Sequence, residues 1–164
     1  MTTAEETLYV GEPGAAHRDS LIDLLLELNR FYNPQSTVKR AEIEAHLEHH
    51  LLAPDSHQTL IIAADGARAL GLTSVYLIHS LVEPRPDANR QCFMKELYVR
   101  ADARGNGIGA RLMQWVIDYA RAQGCCRLDW NVAADNKDGR RFYERLGGYQ
   151  VDGRLCFRLD RAAF

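Results

Sequence analysis

Arg104-Gly105-Asn106-Gly107-Ile108-Gly109-Ala110 is the stretch from which the rest of the chain can be placed. It follows an apolar run from Cys92 to Val99. It opens a segment in which Ile108, Leu112, Trp115, Val116 and Tyr119 face away from a narrow polar stripe of Arg111, Gln114, Asp118 and Arg121. The run before it has strand character and the segment after it the 3.6-residue period of a helix with a wide apolar face. Three glycines at alternate positions remove side chains from a run of backbone N–H groups at the helix N-terminus, where the macrodipole favours negative charge. The stretch reads as an anion cradle suited to a pyrophosphate, with Arg104 placed to add a charge-assisted contact. A plain tight turn is the structural alternative.

Two other phosphate motifs compete for the same residues. Gly105, Gly107 and Ala110 fit G-x-G-x-x-A, and Asp129 closes a following strand about twenty residues on, as in a dinucleotide fold. Such a fold opens on its first strand, however, whereas fewer than sixty residues follow here and they supply only one strand before a hairpin pattern. A P-loop is excluded because no Gly-Lys-Ser or Gly-Lys-Thr ends the loop.

Outward from this centre the periods alternate. A short strand from Leu8 precedes a helix carried by Leu21, Ile22, Leu24, Leu25, Leu28 and Phe31 and stopped at Asn33-Pro34. A second helix is expected from about Val38 through Ile43, Leu47 and Leu51 to the Ala53-Pro54 break, with Ser36 or Thr37 as its cap. Leu60 to Ile62 and Leu70 to Ile78 flank Asp65-Gly66, a tight hairpin signal. After a proline-containing connector, Val82 to Arg90, come the strand ending at Val99 and the central helix. A strand from Cys126 to Val132, a short helix from Asp138 to Leu146 and a last hairpin turning at Asp152-Gly153 follow, with Leu155, Phe157 and Leu159 alternating on one face. The order implies an α/β (α+β) fold with antiparallel strands first and a βαβ crossover later.

With 164 residues, 46% of them hydrophobic, the chain has the size of one domain spanning 1–164 and a core that needs no disulfide or metal. Twenty basic and twenty-two acidic side chains leave a net charge of -2, without the basic excess that a nucleic-acid partner requires. Cys92, Cys125, Cys126 and Cys156 form no C-x-x-C pair and no disulfide framework. Glu5 and Glu6 stand where a signal peptide would carry positive charge, and no apolar run is long enough for a membrane span. A cytoplasmic protein with reduced thiols is expected. His46 and His50 have the i, i+4 spacing of a metal pair but no third ligand, so they read as a solvated helix face and no metal is expected. Trp115, Trp130, Phe142 and Tyr149 are assigned to the core or a pocket wall.

Arg104-x-x-Gly107-x-Gly109 after Glu96-Leu97-Tyr98-Val99, followed by Asn136 and by Arg141-Phe142-Tyr143-Glu144-Arg145-Leu146-Gly147, resembles the GNAT superfamily of acyl-CoA-dependent N-acetyltransferases. The match is strongest from about Phe93 to Tyr149. The resemblance implies a mixed sheet of about 6–7 strands flanked by about 4 helices, in which two parallel strands splay apart. It implies that acetyl-CoA is the co-substrate, its pantetheine arm along the strand of Leu97, Tyr98 and Val99 and its pyrophosphate on Arg104, Gly105, Asn106, Gly107, Ile108, Gly109 and Ala110. Asn136 matches a position that bonds the cofactor arm, and Tyr143 the proton donor to the departing thiolate. On the residues alone Tyr143 is equally a core aromatic on a short helix.

The acceptor amine, with a pKa near 10.4, must lose a proton before it attacks, at a cost of about 4 to 5 kcal/mol at neutral pH. Glu96 is the carboxylate available as base, directly or through water, unless it is a solvated strand residue or a partner of Lys95. Direct attack in a ternary complex needs no covalent intermediate, so no cysteine is assigned as nucleophile. Leu24 to Tyr32 and the loop-to-helix segment resemble the spermidine/spermine and diamine N-acetyltransferase branch, but Lys95 stands where that branch has an acidic base, which counts against a polycation. The shortened last hairpin leaves the acceptor side open or completed by another subunit, which allows a homodimer. The expected acceptor is a small-molecule amine of the diamine, amino-acid or aminoglycoside type. A peptide or protein amine is the second reading, a non-catalytic acyl-CoA-binding module the reading from a different class, and a dinucleotide oxidoreductase the third.

Overall fold

The computed structural model describes residues 8–163, and in them the patterns resolve into five strands and four α-helices. In chain order these are β1 (Tyr9–Gly11), α1 (Arg18–Tyr32), α2 (Arg40–His46), β2 (Thr59–Asp65), β3 (Arg68–His79), β4 (Arg90–Val99), α3 (Ile108–Ala122), β5 (Arg127–Trp130) and α4 (Lys137–Arg145). A π-helical turn, Leu47–Leu51, continues α2. The chain divides into two compact units at Trp130/Asn131. The first unit contains the whole sheet.

The strands lie in sequence order, β1 to β5. The first three pairings are antiparallel and β4 with β5 is parallel. The parallel pair is joined across α3, the βαβ crossover expected from the sequence. Asp65 pairs directly with Arg68, so the hairpin closes on two residues, with Gly66 at φ 52°.

Alternation along the strands divides the core between two faces. Leu60, Ile62, Leu72 and Tyr98 pack with Leu21, Ile22 and Leu24 of α1 and with Ile43 and Leu47. On the other face Ile61 and Ala63 pack with Ile108 and Leu112 of α3, and Leu97, Val99 and Trp115 lie against them. Gly71 sets how closely α3 approaches: a Cβ there would fall 2.9 Å from the Tyr98 carbonyl oxygen and 3.0 Å from Leu112. Ion pairs of Arg40 with Asp19 and Asp23, and of Arg18 with Glu44 and Glu48, tie α1 to the second helical segment at the surface.

Three expectations change. The second helix begins at Arg40, not Val38. Its N-terminus is closed by Glu42, which accepts the Lys39 N–H at 3.0 Å, while the Ser36 hydroxyl is used one turn earlier by the Val38 N–H. The sheet has five strands among the described residues, not 6–7, because the final hairpin does not form. Asp152-Gly153 still turns, with Gly153 at φ 77°, but Leu155 and Phe157 are 82% and 87% exposed. A period-2 pattern makes a strand only when a neighbour completes its ladder and an apolar surface takes its face. Tyr149, 84% exposed, is likewise not a core residue.

Candidate active site

Strand β4 is paired with β3 along its length but with β5 only from Gln91 to Met94. From Lys95 to Val99 its other edge has no ladder partner among the described strands. The Arg100 N–H donates to the Leu70 carbonyl on β3 at 2.7 Å, and the Glu96 carbonyl accepts the Thr73 hydroxyl from β3 at 2.6 Å. Backbone groups alternate in direction along a strand, so the N–H and C=O of Leu97 and Val99 face the open edge. Such an edge can accept an extended ligand carrying amides.

Where the register passes from Ser74↔Glu96 to Val75↔Met94, Lys95 is the extra residue of a β-bulge. Glu96 and Tyr98 then share the α1 face. The Tyr32 hydroxyl, at the end of α1, donates to Glu96 Oε2 at 3.2 Å. The contact to Lys95 considered from the sequence is not made among the described residues. Burial first, and the Glu96 charge second, push the Tyr32 hydroxyl above its ordinary pKa, so it remains a donor. A cleft of about 710 Å3 runs from Tyr32 past Asn29, Asn33, Ser36 and Val38. Asn29 Oδ1 is buried there without a hydrogen-bond partner.

Glu27 anchors the other end of the open edge. Its carboxylate accepts the Tyr98 hydroxyl at 3.0 Å and the Ala101 N–H at 2.8 Å, and pairs with Arg100 at 3.4 Å. Arg100 also donates to the carbonyls of Ala69 and Ser20 at 3.1 Å each. Burial, then Glu27, raise the Tyr98 pKa. The chain therefore leaves β4 in a direction fixed by α1.

The loop follows a single 3-10 turn, Ala101–Ala103. Gly105 and Gly107 stand at φ 80° and 73°, the left-handed region that costs other residues about 1–2 kcal/mol. The first helical bond of α3 is Arg111 N–H to the Gly107 carbonyl, so the N–H groups of Ile108, Gly109 and Ala110 have no partner within the helix. Asn106 is spent inside the loop, donating to the carbonyls of Ala103 and Arg104 at 3.2 and 3.4 Å. Arg104 donates from Nε to the Val99 carbonyl at 3.0 Å, and its guanidinium lies 5.3 Å from the Tyr98 ring centroid and 5.6 Å from that of Phe31. Arg104 thus braces the loop against β4 as well as adding charge.

In the second unit Asn136 caps α4, its Oδ1 accepting the Gly139 N–H at 2.9 Å. Tyr143 is half-buried on α4 with its ring edge-on to Phe142 at 5.0 Å.

Among the cysteines, Cys92 is buried and its thiol is pushed up to about 12 by that burial, the opposite of an activated nucleophile. No group of three His, Cys, Asp or Glu among the described residues could hold a metal ion. No helix among them is long and apolar enough to cross a membrane.

Tyr32 and Glu27 escaped the sequence reading. Glu27 left a trace: it is a carboxylate inside the run Leu24-Leu25-Leu26-Glu27-Leu28, where the helix faces the core. Tyr32 left none, because its partner is 64 residues away.

Comparison with known proteins gives a consistent picture. The model of the acetyltransferase (GNAT) family matches residues 20–148. The uncharacterized N-acetyltransferase YhfO of Bacillus subtilis is 28% identical over 135 residues, 81% of this chain and 83% of that protein. The thialysine N-epsilon-acetyltransferase of Caenorhabditis elegans is 26% identical over 156 residues, 90% and 88% of the two chains. Among solved structures, an integron cassette protein from the mobile metagenome of V. cholerae superposes with a TM-score of 0.83 at 25% identity, covering 94% of this chain and 93% of that one.

Proposed function

Since the chain belongs to the acetyltransferase (GNAT) family, we propose that it transfers an acetyl group from acetyl-CoA to the primary amine of a small molecule. The observation that carries this reading is the continuity of two features. The open edge of β4, with the backbone groups of Leu97 and the N–H of Val99, runs into a glycine loop that presents the N–H groups of Ile108, Gly109 and Ala110, which have no partner within the helix. The two are suited in turn to the amides of a pantetheine arm and to a pyrophosphate. When bound, acetyl-CoA supplies the activated thioester.

The remaining steps belong to side chains. Glu96 takes the proton of the ammonium, and Tyr32 holds the carboxylate from the side through its hydroxyl. The amine nitrogen forms the C–N bond as the C–S bond breaks, with a strand N–H near Val99 stabilising the carbonyl oxygen and the new amide nitrogen releasing its surplus proton to solvent. Tyr143 protonates the leaving thiolate, an assignment supported by its place in the Arg141–Gly147 motif. Asn136 and Arg104 contribute to cofactor binding in the same reading, Asn136 through the side-chain N–H2 that its capping bond leaves over. We place the whole activity in one domain acting in the cytoplasm, and a homodimer is compatible with it. The relatives named for thialysine acetylation favour a small-molecule amine over a protein one.

The test is thermal denaturation with acetyl-CoA and with NADH, followed by thiol release across a panel of amines. At a hundred times its Kd the cofactor should add about 2.7 kcal/mol of stability. A shift with acetyl-CoA alone, and thiol release dependent on amine, is the expected result. No shift at saturation removes the reading.

A further inference from the structure

Beyond α4 one stretch has the alternation of a strand and no sheet to join. Residues 154–160 run between the Asp152-Gly153 turn and a 3-10 turn, Arg161–Ala163, outside any helix or ladder. Among the described residues their backbone makes a single hydrogen bond, in which the Asp160 carbonyl accepts the Ala163 N–H at 2.8 Å. Their side chains make no hydrogen bond or ion pair there, those of Arg154, Arg158 and Asp160 included. Leu155, Phe157 and Leu159 fall on one face of an extended chain and Arg154, Cys156, Arg158 and Asp160 on the other, and all seven are exposed. Unpaired backbone groups in such a stretch are a template for another strand. A ladder partner and an apolar cover are both missing, and a second copy of the same stretch offers the two together.

Two copies paired antiparallel about a two-fold axis set each residue opposite the one equally far beyond the axis. Keeping the apolar side chains on one face requires the axis to pass through a residue, and the charges and turns choose which. An axis at Cys156 sets Arg154 against Arg158 and Asp152 against Asp160, like charges that destabilise a ladder. An axis at Arg158 sets that side chain against itself. An axis at Leu155 runs the ladder into the turn, where Gly153 stands at φ 77°. An axis at Phe157 overlaps the whole stretch: Leu155 faces Leu159, the two Phe157 rings meet at the axis, and Arg154 faces Asp160 on both sides of it. Opposite charges and apolar pairs across two strands each favour the ladder.

We propose that residues 154–160 are the contact between two copies of this chain, an antiparallel strand pair with its two-fold axis at Phe157. That register alone joins the whole stretch. The inference does not depend on acetyl transfer, and association is measurable without any turnover.

Sedimentation velocity of the full chain at roughly 10 to 500 µM tests it, since a strand pair of this size is a small interface and its association is weak. The parent should dimerise. Arg154→Asp and Asp160→Arg each set like charges opposite one another twice in the dimer and should each weaken association at least about tenfold. An equimolar mixture of the two variants brings opposite charges back together at both positions and should associate within about threefold of the parent. Both positions are exposed, and melting temperatures check that each variant keeps the fold. A monomeric parent, variants that dimerise as the parent does, or a mixture no better than its components overturns the proposal. Tighter association of Arg154→Asp also overturns it, in favour of the axis at Cys156.

Discussion

The Tyr32 hydroxyl donates to Glu96 Oε2 at 3.2 Å, joining the last residue of α1 to the middle of β4 across 64 residues of sequence. The bond orients the carboxylate that the proposed chemistry uses. Glu96→Gln should lower kcat/KM by about 10²–10⁴-fold, the range of general acid–base catalysis. Tyr32→Phe removes one hydrogen bond worth about 1 kcal/mol and should lower kcat/KM roughly fivefold. In the double variant the Tyr32→Phe effect should vanish, because its target is gone. Steady-state kinetics on the four proteins measures this coupling, and full additivity would show that Tyr32 does not act through Glu96.

Gly107 is the N-cap of α3 at φ 73°, where a Cβ meets no neighbour but the backbone itself is strained. Gly107→Ala should therefore cost about 1–2 kcal/mol of stability if the loop keeps its shape. If it relaxes instead, the N–H groups of α3 lose their alignment. In that case acetyl-CoA affinity should fall several-fold while the affinity for the amine changes little. Titration of both ligands on the variant distinguishes a cofactor loop from a merely tight turn.

Glu27 satisfies Tyr98, Ala101 and Arg100 at once, and the side chains of the ion pair are only 29% and 15% exposed. Glu27→Ala leaves a half-buried guanidinium and two donors without their partner and should destabilise the protein by about 3 kcal/mol. Glu27→Gln keeps acceptors for the hydroxyl and the N–H and should cost about 1 kcal/mol. Urea denaturation of the two variants checks the order as well as the sizes.

Cys92 links stability to alkaline pH. Burial raises its thiol from 9.0 to about 12, so the folded state keeps a proton that the unfolded chain releases. Its contribution is complete below pH 9.0 and is lost as pH rises towards 12, at up to about 1.4 kcal/mol per pH unit. Tyr98 and Tyr32 are raised in the same direction by burial and by their carboxylate partners, and they add to this loss above their ordinary value. Between pH 9 and 10 the decline belongs mainly to the thiols, to Cys92 and to the half-buried Cys125, whose thiol burial raises from the same 9.0. Melting temperatures across that interval should fall less steeply in Cys92→Ala than in the parent, and parallel curves would contradict the assignment.

Much of this was legible in the sequence because it is local. The two-residue hairpin at Asp65, the four α-helices and the glycine loop each depend on residues a few positions apart. The last hairpin shows the limit of that logic. Its turn formed where Asp152-Gly153 predicted, but Leu155, Phe157 and Leu159 remain exposed, since alternation does not name the strand that completes a ladder. The candidate site divides in the same way. Arg104 is conspicuous in the loop motif, yet its contacts to Val99, Tyr98 and Phe31 depend on the packing of α1 against β4.

By itself, then, the sequence determined the elements, their order and the loop chemistry, because short-range backbone preferences and apolar periodicity act within a few residues. Tertiary structure alone decided three things. It set the point at which β5 leaves β4, which opens the edge beyond Met94. It brought Tyr32 and Glu27 to opposite ends of that edge. It collected His49, His50 and His57 around Tyr76. Each depends on contacts between segments far apart in the chain, where the free energy comes from matching whole faces and no single residue announces its partner.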